Sequence, residues 1–368
     1  MTRLNVTGHN PDMNVTGHTS GDVTAAPRIH GGTRGRPVSI RDVAAAAGVS
    51  YQTVSRVING HPSVRPSTRE VVLTAIDQLG FRPNRAARAL AGGPVQSVTV
   101  LTDNTTLYGR SESLRGIEEA ARAAGFTVGI RVVETEDSAE IKDAISRATE
   151  PRSALIVIAH DRVGTLALTE VPDEVPMVAL VVTPAGTEGH GKPWVWIDDR
   201  QAAFDATRYL LDLGHQTVYY AATPSSPQRL DGWRSALLAG DAPVPDPIPC
   251  GWTPESGYLV GRELAARPEV TAILCGNDDL AIGVSRALRE KGRAIPAEVS
   301  VIGFDDIPIA EFLTPALTTV RQDFAQLGRV AFAMLRSLID PEASVSPLPR
   351  PEPRLIVRES AGAPPARS

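Results

Sequence analysis

A chain of 368 residues, 42% apolar and 21% charged with a mean hydropathy of −0.08, has room for two or three folded domains and falls outside the disordered and fibrous classes. No stretch approaches the ~20 consecutive apolar residues of a membrane helix, and the polar N-terminus lacks the apolar segment of a signal peptide, so a cytoplasmic location is expected. The net charge of −5 hides a division: residues 34–93 hold nine arginines against three acids, net +6, while residues 94–368 hold 26 basic and 37 acidic residues, net −11. A basic module that meets a polyanion, joined to an acidic body with another task, is the arrangement this implies.

Residues 1–35 are rich in Gly, Thr, Asn and Pro and repeat the run Asn5–His9 as Asn14–His18, which reads as a disordered tail without function of its own. From residue 36 the texture changes to short capped helices. Ser39 with Asp42 three residues on forms a capping box, and Gly48 ends the helix. Ser50 caps a second helix, Tyr51–Asn59; Ser67 with Glu70 suggests another box opening a third, closed at Gly80. A helix-turn-helix domain over 36–82 accounts for this pattern, with small Ala44 and Gly48 letting two helices cross and Val54 filling their shared core. On the second helix Tyr51, Gln52, Ser55 and Arg56 share one face by their spacing, while Val54, Val57 and Ile58 take the other. An amide and a guanidinium on an exposed helical face suit bidentate contact with base edges in a major groove. Residues 83–94 read as a linker holding a helix-prone run, Arg85–Leu90, preceded by the cap candidate Asn84 and stopped by Gly92-Gly93-Pro94.

Beyond residue 95 short runs of Val, Ile, Leu and Ala alternate with amphipathic stretches. The β runs are Ser97–Thr102, Thr127–Val133, Ala154–Ala159, Met177–Val182, Thr217–Ala222, Val270–Cys275 and Ser300–Phe304, each expected to be buried on both faces. Helical segments such as Ser111–Ala124, Ala139–Thr149, Gln201–Leu213, Glu255–Ala266 and Asp278–Lys291 fall between most of them, the βαβ signature of parallel sheets. Over 95–360 this is generous for one sheet, so two lobes with a cleft between them are expected, followed by a disordered tail at 361–368. Cys250 and Cys275 read as buried thiols, the seven histidines show no zinc-site spacing, and no phosphate-binding or dinucleotide fingerprint is present, so neither a cofactor nor a metal is expected. The pairs Asp198-Asp199, Asp278-Asp279 and Asp305-Asp306 each follow an apolar run and read as helix caps at strand-to-helix loops in preference to acid/base or metal sites.

The run Val38-Ser39-Ile40-Arg41-Asp42-Val43-Ala44-Ala45-Ala46-Ala47-Gly48-Val49-Ser50-Tyr51-Gln52-Thr53-Val54-Ser55-Arg56-Val57-Ile58-Asn59 closely resembles the headpiece of the LacI/GalR family of repressors, above all its lactose-responsive branch. The likeness continues through Phe81-Arg82-Pro83-Asn84 to the end of the core. The resemblance implies an all-α helix-turn-helix headpiece plus an α/β periplasmic-binding-protein-like core of two parallel-sheet lobes, and a homodimer that binds operator DNA under the control of a small-molecule effector, a sugar by this likeness. It implies that Tyr51, Gln52 and Arg56 read bases, that Ser39, Ser50, Thr53, Ser55 and Asn59 hold phosphates or line the same groove, and that the run after Asn84 pairs with its twin at Ala87 and wedges Leu90 into the minor groove. In the core it implies that Arg229, Asn277 and Asp305 bond ligand hydroxyls and that Trp252, Gln322 and Phe324 line the pocket. The chain departs from the lactose-type pattern where the strand Met177–Val182 ends without an aspartate and where Asp103 replaces a serine; Asp103 is expected to recover hydroxyl contacts for a different galactoside or a plant-derived β-glycoside. After Arg354–Arg358 no leucine heptad follows, so a dimer and not a coiled-coil tetramer is expected. A purine- or sugar-phosphate-responsive regulator of the same family is the alternative. A sugar-binding protein without a regulatory role fits less well, because it would need a secretory signal and no basic headpiece, and a sugar-modifying enzyme would need a nucleophile or acid/base pair that the chain does not supply. If Leu90 acts as the wedge, Leu90→Ala weakens binding to a symmetric operator but leaves binding to random DNA nearly unchanged, as read in a titration at fixed salt.

Overall fold

The computed structural model describes residues 38–58, 63–81, 97–149, 153–181, 191–224, 226–342 and 346–366. The readings on Asn59, Asn84, Ala87, Leu90, the N-terminal tail and the 83–94 linker lie outside the described residues. Two compact units divide the chain, one up to Asn84 and one from Arg85.

In the first unit three helices, α1 (Ile40–Ala46), α2 (Tyr51–Ile58) and α3 (Pro66–Gln78), enclose a small core of Val43, Ala44, Val54, Val57, Val72, Ala75 and Phe81. The expected box at α1 forms, with the Ser39 N–H donating to Asp42 Oδ2 at 2.7 Å and the Asp42 N–H to Ser39 Oγ at 3.4 Å. Ser50 Oγ accepts from the Thr53 N–H at 3.1 Å and starts α2. At α3 the expected Ser67 cap is absent: Arg65 is the N-cap and makes no side-chain bond, and Pro66 occupies the first helical position. The fixed φ of proline starts the helix without help from a hydroxyl, since its missing N–H is one that would be orphaned anyway. Gly48 and Gly80 sit at positive φ (62° and 59°) just past helix ends, where a side chain would be strained.

The second unit holds two sheets. In the first lobe β1 (Ser97–Thr102), β2 (Thr127–Val132), β3 (Ser153–Ala159), β4 (Met177–Val181) and β5 (Trp194–Val195) run parallel in the order β2-β1-β3-β4-β5. Three helices lie in this stretch: α4 (Tyr108–Ala123), α5 (Ser138–Ala148) and α6 (Arg162–Glu170). The second lobe contributes α7 (Asp199–Asp212), β6 (Tyr219–Ala222), α8 (Pro227–Ala239), β7 (Ile248–Pro249), α9 (Pro254–Ala265), β8 (Ala272–Cys275), α10 (Asp278–Glu290), β9 (Ser300–Asp305) and β10 (Thr318–Arg321). The chain then returns to the first lobe as α11 (Phe324–Ile339) and closes the second sheet with β11 (Arg354–Ile356), giving the order β11-β10-β9-β8-β6-β7. Among the described strands of this sheet only β11 is antiparallel.

Two expectations change. β2 is not buried on both faces: it is an edge strand, with Ile130 and Val132 exposed, because no described strand pairs beyond it. Residues 361–366 are not a loose tail. The Gly362 N–H donates to Ser300 Oγ at 3.0 Å, and the Gly362 carbonyl lies 3.0 Å from His215 Nε2. Buried His215 and Ser300 need polar partners, and the returning backbone supplies them.

α11 is apolar on most of its circumference and fills the first lobe's core, where Phe324, Leu327, Phe332 and Leu335 are buried. It crosses α4 at backbone distance: a Cβ on Gly116 would stand 1.9 Å from the Ala325 carbonyl oxygen, and one on Gly328 2.2 Å from that of Ser113. Gly116→Ala therefore forces two helices apart and is expected to cost about 1–3 kcal/mol, the usual penalty of overpacking, read as a lower melting temperature.

Candidate functional site

On α2 the buried side is Val54 and Val57, and Tyr51, Gln52 and Arg56 are exposed, with Ser55 half-buried beside them. Tyr51 is 54% exposed although it is large and aromatic, so it is spent on nothing inside the headpiece. Thr53 and Ser50 join hydroxyls at 2.9 Å, and Ser39 is engaged at its own cap, so these hydroxyls already hold the first turns of the two helices. The face is polar, cationic and one helical stripe wide, the shape a major groove accommodates.

In the second unit a cavity of about 680 Å³, open to solvent, lies between the lobes at the carboxyl ends of their strands. In open parallel sheets that crevice is where ligands bind. Arg229, Trp252, Asn277, Asp305, Gln322 and Phe324 all line it. Arg229 comes from the first turn of α8 and is buried. Its Nε donates to Asp199 Oδ2 at 2.8 Å, Nη1 to the Gly276 carbonyl and Nη2 to Asp305 Oδ1 at 3.5 Å, with its face 4.1 Å from the Phe304 ring. Gln322 Nε2 donates to the other oxygen of Asp199 at 2.8 Å. Burial pushes the Asp199 and Asp305 carboxyls above the ordinary range, against the pull of Arg229. Asn277 caps α10 by accepting from the Leu280 N–H at 2.8 Å, and its amide donates to the Trp252 carbonyl at 3.1 Å, which fixes the loop carrying that indole.

The aspartate pairs divide their work. Asp198 caps α7, as expected. Asp278 does not cap α10. It is fully buried, accepting from Thr319 Oγ1 at 2.5 Å and the Ile307 N–H at 2.8 Å, and burial pushes it up to about 7. Asp305 and Asp306 cap nothing either; both sit at positive φ (108° and 55°), so the chain turns sharply off β9. Asp305 thereby serves Arg229, and Asp306 serves Arg321 at 2.6 Å and Arg358 at 2.7 Å.

Asp103 is not in the cavity wall. Arg110, seven residues on in α4, takes both its oxygens, Nε at 2.6 Å and Nη2 at 3.0 Å, and it is Arg110 that reaches the cavity. Burial works to raise the Asp103 carboxyl, but hydrogen bonds from Asp161 and Arg110 outweigh it and hold it low; Asp161 is pushed up to about 6 by burial and by the same bond to Asp103. Across the cleft the Arg110 guanidinium lies 5.6 Å from the Trp252 ring. His160, also in the wall, is held down to about 3 by burial and by the charge of Arg110, and is neutral. Arg110, His160, Asp199, Tyr108 and Asp279 line the cavity without having been foreseen in that role. The two aspartates were visible as members of pairs, while nothing in spacing marks Arg110 or His160. Among the described residues no group of three or more His, Cys, Asp or Glu could hold a metal ion, and no helix is long and apolar enough to cross a membrane.

An exposed polar stripe on a helix-turn-helix and a ligand-sized polar and aromatic cavity in a separate unit define a DNA-binding regulator with a small-molecule site. Residues 39–84 match the model of bacterial regulatory proteins of the lacI family, and residues 207–361 match that of the periplasmic binding protein-like domain. Catabolite control protein A of Priestia megaterium is 32% identical over 336 residues, 88% of this chain and 99% of that protein. The solved lac repressor dimer bound to operator and the anti-inducer ONPF is similar at a TM-score of 0.78 and 29% identity, over 89% of this chain and 100% of that one. The transcriptional regulator CelR–cellobiose complex follows at a TM-score of 0.62 and 30% identity, over 88% and 100%. The chain belongs to the LacI family of bacterial regulators.

Removing the cation between Asp199 and Asp305 leaves two buried carboxyls uncompensated, so Arg229→Met is expected to lose roughly 3–5 kcal/mol of stability. Acids whose folded pKa is raised bind protons more readily folded than unfolded, so their cost grows as pH climbs above the ordinary carboxylate range. The variant's deficit in urea melts should accordingly be small near about pH 4 and widen toward about pH 8.

Proposed function

We propose that this chain is a dimeric transcriptional repressor that loses its grip on a near-palindromic operator when a sugar occupies the cleft. The observation that carries the reading is the cavity itself: guanidinium, carboxylate and amide groups of Arg229, Asp305 and Asn277 held in fixed geometry, with Trp252 and Phe324 in the same wall. Sugars present hydroxyls around apolar C–H faces, and that mix of fixed polar groups and aromatic plates matches both. The solved relatives carry ONPF or cellobiose together with the same fold, which supports a sugar as the effector here. In the headpiece Tyr51, Gln52 and Arg56 read bases, with Ser39, Ser50, Thr53 and Ser55 toward the phosphates. No catalysis is ascribed to the core; its charged groups bind and position.

Two subunits place their α2 helices in successive major grooves, and the effector acts by preferring the arrangement of lobes that does not hold DNA. A ~100-fold preference corresponds to about 2.7 kcal/mol of coupling. Fluorescence anisotropy of the full chain on a symmetric lactose-type operator, against random DNA of equal length, tests the first half of the reading. Gln52→Ala and Arg56→Ala are expected to cost about 1–3 kcal/mol each on the operator and far less on random DNA. Equal affinity of the wild type for both duplexes would overturn the reading. Thermal-shift screening with sugars and nucleobases tests the second half, and a response to purines alone would move the chain to the other effector class.

A further inference from the structure

Taking the cleft as a sugar site, we infer that its effector is an uncharged sugar and that Asp279 is the residue that enforces this, turning away phosphorylated and carboxylated sugars. Among the described residues of the wall the only cations are Arg110 and Arg229, because His160 is neutral. Each is already compensated twice over. Arg229 lies 2.8 Å from Asp199 and 3.5 Å from Asp305; Arg110 lies 2.6 Å from Asp103 and 3.7 Å from Asp161. Two carboxyls therefore face each guanidinium before any ligand arrives. What the arginines retain are spare N–H groups, which can donate to hydroxyls but bring no net positive charge to an anion.

Asp279 adds an acid with no cationic side chain beside it among the described residues, only the start of α10. It is the second residue of α10, half-buried in the cavity wall, and its carboxyl makes no hydrogen bond or ion pair with the side chain of any described residue, burial alone pushing it above the ordinary carboxylate range. Its neighbours on either side are committed, Asp278 to Thr319 and Ile307 and Asn277 to the cap. The carboxylate is therefore left with its acceptor capacity intact beside a ligand-sized space. A sugar hydroxyl can donate to it, and a phosphate or uronate group would meet like charge in a partly desolvated cleft, where such juxtaposition is strongly unfavourable.

The test is isothermal titration of the full chain with matched sets: glucose, glucose 6-phosphate and glucuronate; galactose, galactose 6-phosphate and galacturonate; cellobiose and its 6-phosphate. For the neutral sugar that binds, each anionic counterpart is expected to bind at least ~10-fold more weakly, about 1.4 kcal/mol. Asp279→Asn should narrow that ratio and Asp279→Lys should narrow it further or reverse it. An anionic sugar that binds as tightly as its neutral parent, or a ratio that neither substitution moves, overturns the inference. If no sugar of either kind binds to a chain that still holds operator DNA, the reading of the cleft as a sugar site falls first, and that result is distinct from a preference for anions.

Discussion

One buried guanidinium organises the core. Arg229 gathers the start of α7, the loop after β8, the end of β9 and the ring of Phe304 around itself, and three of its contacts are hydrogen bonds to two buried carboxyls and a backbone carbonyl. An isolated charge at such depth is prohibitively costly, so the arrangement persists because the acids and carbonyl arrive together. The strand ends that meet there are also where an open parallel sheet leaves a crevice, so the charge that ties the second lobe together and the groups facing a ligand are the same atoms. Stability and recognition are thus not separable in this wall.

The first lobe solves a different problem. Its wall is Arg110 with two carboxyls behind it, and behind that wall α4 and α11 cross so closely that backbone oxygens occupy the space of missing side chains at Gly116 and Gly328. The crossing anchors a helix that comes late in the chain to a lobe built early in it, which is why Phe324 and Leu327 can line the same cavity as Tyr108 and Arg110, more than two hundred positions earlier.

Much of this was legible before any coordinates. Alternating β and helical runs placed most strands within a residue or two, since Val- and Ile-rich segments buried on both faces carry little ambiguity, and the headpiece was readable from two hydroxyl caps and a glycine. α11 is amphipathic, with Gln326, Arg329, Arg336 and Ser337 along its outer side, but it falls after the last of the alternating β runs and so outside the βαβ pattern from which the other helices were read. α8 was hidden behind a Pro- and Ser-rich approach that reads as loop. In the cavity the resemblance pointed to six side chains now seen in its wall, while Arg110 was invisible because its meaning depends on Asp103 and Asp161 meeting it in space. Asp103 itself was assigned to the ligand when its carboxylate belongs to that arginine. The aspartate pairs looked alike in sequence and proved different, because what each acid does is set by backbone turns such as the positive φ at Asp305 and Asp306.

The chain passes between the lobes three times, before α7, after β10 and after α11, and two of these passages carry Asp199 and Gln322, which are bonded to each other at 2.8 Å and through Asp199 to Arg229. Any group that bonds to that arginine is therefore joined, through Asp199, to two of the three strands of chain that connect the lobes. Arg229, Asp199 and Gln322 thus knot two crossings of the chain at the point where they leave one lobe for the other, without a relay of intervening side chains.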